Sequence, residues 1–242
     1  MDFDKIEKEF KKYVDSFDWN NEKIQLKYYH TLEVADISYK IASDMGLSDE
    51  DKDLAKLIGY LHDIGRFEQV AETNSFKDKT MDHADNGVRI LFEEGLIRSF
   101  IDSSKYDEII RKAIRNHNKY KILDEVNDEE KLFANIIRDS DKIDIFRVRG
   151  LYYEDKISLS PSREVLDSID KEEAVKLQDI KNKSDSILCV LAFIFDFNYD
   201  SSLRVLREKG YYQTLIDKIE VSSEYMELFN KIKKQVLKKL EV

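Results

Sequence analysis

Helix breakers are nearly missing from this chain. Its 242 residues include one proline and seven glycines, while Glu, Lys, Leu, Ile and Asp dominate. That composition suits long surface helices. Helical periodicity recurs along the sequence and alternating strand patterns do not, so an all-α fold is expected. The length suffices to bury a real core.

The punctuation marks out six helices in the first 150 residues. One covers roughly the opening 17 residues. A second runs from near Asn21 to before Gly46. A third starts at Ser48, where Ser48 and Asp51 resemble a capping box, and is expected to stop at Gly65. Residues 66–81 read as a loop or short irregular helix. A fourth helix spans about Asp82 to Glu94, and a fifth about Ser104 to Asn118. A sixth starts at Asn127 with Glu130 and ends near Gly150. Residues 151–242 read as a variable loop to about Ser162 followed by more helices. The expected division is a core over 1–150 and a C-terminal helical extension over 151–242, packed on the same domain.

Charge and cysteine usage exclude several classes. The net charge is −10, which argues against general nucleic-acid binding. A small anionic substrate is still allowed, because a bound metal can invert the local field. Cys189 is the one cysteine, so no internal disulfide forms, in keeping with a reducing, cytoplasmic setting. The most apolar run, Ile187 to Phe195, is far short of the about 20 residues a spanning helix needs. It reads as a buried core helix with Cys189 as packing, and no membrane association is expected.

Against that background the histidines stand out. All four fall on the apolar stripe of a helix. His30 interrupts Leu26, Val34, Ile37 and Ile41. His62 ends the stripe of Leu54, Ile58 and Leu61, with Asp63 directly after it. His117 follows Ile110, Ala113 and Ile114. His83 is followed at i+4 by Gly87, whose mid-helix cost of about 1 kcal/mol against Ala calls for close approach of another helix or a bound ion. Asp141 lies within Phe133, Ile137, Ile145 and Val148. One buried histidine is usually a satisfied core residue. Five helices each delivering an imidazole or a carboxylate inward, with an uncompensated buried charge costing several kcal/mol, point instead to a shared metal site. The simplest assembly puts His30, His62, Asp63 and Asp141 on one ion and Asp63, His83 and His117 on a second, with Asp63 bridging. Imidazole and carboxylate ligands without thiolate suit Fe, Mn, Zn, Co or Ni.

The ordered set His30, His62-Asp63 and Asp141 resembles the HD superfamily of metal-dependent phosphohydrolases. The local text agrees: Leu61-His62-Asp63-Ile64-Gly65-Arg66 and Asp139-Ser140-Asp141-Lys142-Ile143-Asp144. His83 and His117 resemble the two-metal branch. The likeness covers about residues 25–150. It implies a helical bundle with the metal site at its centre, and hydrolysis of a phosphomonoester or phosphodiester, often of a nucleotide, by a metal-activated hydroxide. Around His117 the chain reads His117-Asn118-Lys119-Tyr120 and lacks the signature of cyclic-dinucleotide phosphodiesterases, so cyclic di-GMP is not the expected substrate.

Two divalent ions, less Asp63, Asp141 and a bridging hydroxide, would leave the site at about +1, favourable to phosphate. Arg66 is the candidate phosphate clamp. Lys142 and Asn118 are candidate substrate contacts, and the loop from Phe67 to Met81 is the candidate for substrate selection. The extension would cover the site or form a homodimer surface. Two other functions fit the same ligands: a di-iron oxygenase and a non-catalytic nucleotide-binding module.

Overall fold

The computed structural model describes residues 1–78, 81–123, 125–152 and 156–241, with residue 152 in its backbone only. The chain divides into two compact units, Met1–Asp141 and Lys142–Val242. The division falls inside a helix, ahead of the expected boundary at 150.

The first unit is helical. Helices α1 (Phe3–Val14), α2 (Glu22–Asp44) and α3 (Asp49–Leu61) are followed by α4 (Ile64–Thr73) and α5 (His83–Val88). A single π turn, Arg89–Glu93, continues α5 to the position expected for that helix's end. Helices α6 (Ile97–Phe100) and α7 (Asp107–Asn116) lead to α8 (Asp128–Tyr152), which runs on into the second unit.

Side-chain caps explain where the helices begin. Ser48 Oγ accepts from the Asp51 amide at 3.2 Å and donates to its carboxylate at 2.6 Å. Asn127 and Glu130 form the reciprocal box: Asn127 Oδ1 accepts from the Glu130 amide, and Glu130 Oε2 from the Asn127 amide, both at 2.9 Å. Each such cap is worth about 1 kcal/mol.

Two expectations are corrected. Gly65 does not stop α3; that helix ends at Leu61, and Gly65 lies in the first turn of α4. Of the expected loop or short irregular helix, residues 66–73 are helical, and α4 is ended by Asn74 in the left-handed conformation. The candidate selection loop shrinks to residues 74–81, of which Lys79 and Thr80 lie outside the described residues. Gly65 is glycine because of close packing. A Cβ there would meet His83 O at 2.3 Å and Gly87 N at 2.5 Å. The partner of Gly87 is thus the helix α4, one of the two explanations its position called for.

The core follows the expected stripes through Val34, Ile37, Ile41, Leu54, Ile58, Leu61, Ile110, Ala113 and Ile114. On α8 the stripe holds to Asp141 and then turns. Ile145 and Val148 are half-buried, while Ile143 and Phe146 are buried.

The second unit adds α9 (Arg163–Asp170), α10 (Lys183–Ala192), α11 (Asp200–Lys209), α12 (Tyr211–Asp217) and α13 (Met226–Lys239), with a two-residue parallel pair, Ile157–Ser158 beside Ile219–Glu220. Residues 153–155 of the expected loop lie outside the described residues. Helix α10 is the apolar helix expected around Ile187, and Cys189 is buried in it, its thiol pushed up to about 11 by burial. Among the described residues no helix is long and apolar enough to cross a membrane.

Candidate metal centre

Helix ends and helix middles bring the six candidate ligands together in the first unit. His30 projects from the middle of α2. His62 closes α3 and Asp63 opens α4, so the doublet occupies the short break between two helices. His83 is the first residue of α5, His117 closes α7, and Asp141 lies on α8. Four histidines and Asp63 are buried; the Asp141 side chain is 18% exposed.

The two oxygens of Asp63 face different histidines. Oδ2 lies 3.5 Å from His30 Nε2 and 3.4 Å from His62 Nε2. Oδ1 lies 3.4 Å from His83 Nε2 and 3.7 Å from His117 Nε2. Asp141 Oδ1 joins the first group, 3.1 Å from His30 Nε2 and 4.0 Å from His62 Nε2. Within each group the ring nitrogens are close: His30 and His62 at 3.4 Å, His83 and His117 at 3.0 Å.

For His62, His83 and His117 these contacts are acceptors facing acceptors. His62 Nδ1 donates to Gly59 O at 2.7 Å, His117 Nδ1 to Ile114 O at 2.6 Å, and His83 Nδ1 to Asp78 Oδ1 at 2.9 Å. With the ring proton on Nδ1, each of these three Nε2 atoms presents a lone pair towards the Asp63 carboxylate. A cation between them turns that repulsion into attraction. Ligand atoms about 2.1 Å from a shared ion stand about 3.0–3.4 Å apart at right or tetrahedral angles; most separations here match, while His117 to Asp63 at 3.7 Å and His62 to Asp141 at 4.0 Å are longer. The residues present therefore fit divalent ions.

Electrostatics prepare the ligands. Burial pushes the His62 imidazolium down, and His83 down to about 4, so both rings are neutral at neutral pH. Burial would raise the Asp63 carboxyl, but the Lys27 ammonium beside it holds it well below the usual carboxylate range. Asp141 is likewise held low against its burial, by His30 first and then by His62 and Lys27. Ligands must be deprotonated to bind a metal, and these are.

Residues 28–145 match the family model of the HD domain. The chain carries an HD domain. The matched span encloses all six candidate ligands. HD domains are metal-dependent hydrolases, and among the described residues two groups could hold an ion: His30, His62 and Asp141, and His62, Asp63 and His117. Comparison with curated proteins and with solved structures finds no match.

The other candidates divide around this HD centre. Arg66 is buried beside it, not a loop residue. Its Nη2 donates to His83 Nε2 at 2.8 Å, and its Nη1 to Gln69 Oε1, Phe76 O and Asp78 Oδ1 at 2.6, 2.9 and 3.0 Å. Its Nε has no hydrogen-bond partner among the described residues. Asn118 lies at the His83 side, where Nδ2 donates to Asp82 Oδ1 at 3.0 Å. Lys142 belongs to the second unit, and its ammonium is held by Asp196 through the carboxylate at 2.6 Å and the carbonyl at 2.8 Å.

Three residues went unread in the sequence. Lys27 ion-pairs with Asp63 Oδ2; it sits one helical turn before His30, so its facing was legible. Gln69 lies one turn after Arg66 on α4, a segment whose helical phase the sequence leaves open. Asp78 carries no sequence signal at all.

Proposed function

We propose that the HD domain is a phosphohydrolase with two divalent ions, acting on a phosphomonoester or phosphodiester of a nucleotide or another small molecule. One ion is assigned to His30, His62, Asp63 and Asp141, the other to Asp63, His83 and His117. The observation that carries this is the division of Asp63, with one oxygen turned to each pair of histidines at 3.4–3.7 Å. A carboxylate so placed is the bridge a paired site requires.

Bound divalent ions supply acidified water and charge stabilisation at the phosphoryl oxygens. The chain's own residues orient the substrate. Asp141, the most exposed ligand, marks the open side of the cluster. Lys27 and Arg66 place an ammonium and a guanidinium beside Asp63. Nη1 of Arg66 is committed to its protein partners. The clamp role therefore falls to the Nε–Nη2 edge, which can hold two phosphoryl oxygens once His83 Nε2 is engaged elsewhere.

The test is elemental analysis coupled to a phosphoester screen under Mn, Fe, Zn, Co and Ni. Wild-type protein should hold close to two ions and turn over at least one phosphoester class, and His62→Ala should lose both properties. Full activity with metal retained in that variant would sink the mechanism.

A further inference from the structure

We propose that Asp78 is a positioning residue for His83, held in place by a clasp of Arg66 and Gln69, and that ion binding at the His83–His117 end depends on it. The proposal rests on the reading that Asp63, His83 and His117 hold an ion.

The three histidines with a defined Nδ1 partner solve the same problem differently. A metal-ligating imidazole needs its other nitrogen tied to an acceptor, which fixes both tautomer and ring orientation. His62 and His117 close their helices, where terminal carbonyls lack intrahelical partners. Each donates to the carbonyl three residues back, Gly59 O or Ile114 O. His83 opens α5 and has no preceding helical turn to supply such a carbonyl. The adjacent carboxylate, Asp82, is already engaged by the amides of Ala84 and Asp85 and by Asn118 and Lys119. The acceptor is therefore Asp78 Oδ1.

Asp78 lies outside any helix, so its own backbone does not aim it. Side chains from α4 do. Arg66 Nη1 and Gln69 Nε2 both donate to Asp78 Oδ1, at 3.0 and 2.8 Å. The same two side chains hold the backbone on either side: Arg66 takes Phe76 O at 2.9 Å and Gln69 takes Met81 O at 2.8 Å. Their mutual bond of 2.6 Å locks the clasp. A rigid helix thus sets the orientation of a carboxylate that sets the orientation of a ligand.

The experiment titrates metal-depleted full-length protein with Mn(II) and counts sites. Removing an outer partner of a ligating histidine typically costs about 10–100-fold in metal affinity. Asp78→Ala should weaken one of two sites by that factor and spare the other, and the isosteric, neutral Asp78→Asn should fall between it and wild type. Imidazole nitrogen shifts of the metal-free protein give a second readout. His83 should lose its Nδ1–H tautomer in Asp78→Ala while His62 and His117 keep theirs, an effect a general loosening of the fold would not single out. Wild-type affinity at both sites in Asp78→Ala, or an unchanged His83 tautomer, overturns the proposal. A wild-type protein that takes up no second ion overturns the two-ion reading itself, whatever the tautomer shows.

Discussion

The two ends of the Asp63 carboxylate are built from different material. The Oδ2 end rests on α2 and α3, two long helices in intimate contact: a Cβ on Gly59 would come within 2.5 Å of Ala35 Cα. His30 and His62 are carried by that packing. The Oδ1 end rests on the six-residue α5 and on the terminus of α7. It is supported by side chains: Asp78 on His83, and Arg138 reaching from α8 to the carbonyls of Asn116, Lys119 and Tyr120 around His117. Both ends have close backbone approach, Gly59 on Ala35 at one and Gly65 on His83 and Gly87 at the other, but the Oδ1 end also relies on polar contacts, which are easier to remove singly.

The comparison makes its largest prediction for ligand variants. Loss of a direct ligand should exceed the about 10–100-fold cost of losing a supporting residue. His83→Ala should empty its own end and leave an ion held by His30, His62, Asp63 and Asp141. His30→Ala should weaken the other end, with the His83–His117 ion retained less firmly because its platform is the less rigid of the two. Metal counts and phosphoesterase activity on both variants check this. Identical metal loss in the two would erase the distinction between the ends.

Next in size is Gly65→Ala. The new methyl would collide with backbone at His83 O and Gly87 N, and backbone cannot rotate away as a side chain can. A cost of about 1–3 kcal/mol, the range of overpacked cores, is expected as a lowered Tm. Because His83 is pushed directly, the Oδ1 end should lose its ion first.

A smaller effect, spread over pH, concerns the metal-free protein. The His83 value falls from 6.5 to about 4 on folding because burial disfavours the imidazolium. Below pH 6.5 the unfolded chain gains a proton that the folded chain refuses, so stability falls as pH drops from 6.5 towards 4. Below about 4 the folded ring is protonated too, and this contribution stops changing. His62 acts in the same direction. Thermal melts of metal-free protein across that window should show a declining Tm, and the His83→Ala variant should decline less steeply.

What could be read from sequence follows the same division. His30, His62, Asp63, His117 and Asp141 were legible because helical spacing places them among buried aliphatic residues, and spacing is a local property. The clasp was not. Gly65 looks like a helix stop in sequence because glycine so often ends helices, yet here it permits the contact between α4 and α5. With the segment after Gly65 readable as loop or as irregular helix, Arg66 and Gln69 could not be placed on one face. Asp78 acts through a contact set by tertiary packing, which periodicity does not encode. Lys142 shows the same limit, since adjacency to Asp141 does not reveal that Asp196 holds its ammonium.

Gly87→Ala should have the smallest effect, and its smallness is the point. Gly87 and Gly65 face each other, but the room around them is unequal. A Cβ on Gly87 would meet Ile64 Cγ2 at 3.3 Å, with Gly65 N and Ile114 Cγ2 at 3.5 Å. The nearest neighbour is a methyl that can shift by a few tenths of an ångström. Alanine also recovers about 1 kcal/mol of helix propensity over glycine. The two terms nearly cancel, so the Tm should stay close to wild type and both ions should remain. A large loss of stability, or loss of the His83–His117 ion alone, would mean that the approach of α4 to α5 is governed from the α5 side. The rigidity now ascribed to α4 and its clasp would then belong to the short helix that carries His83.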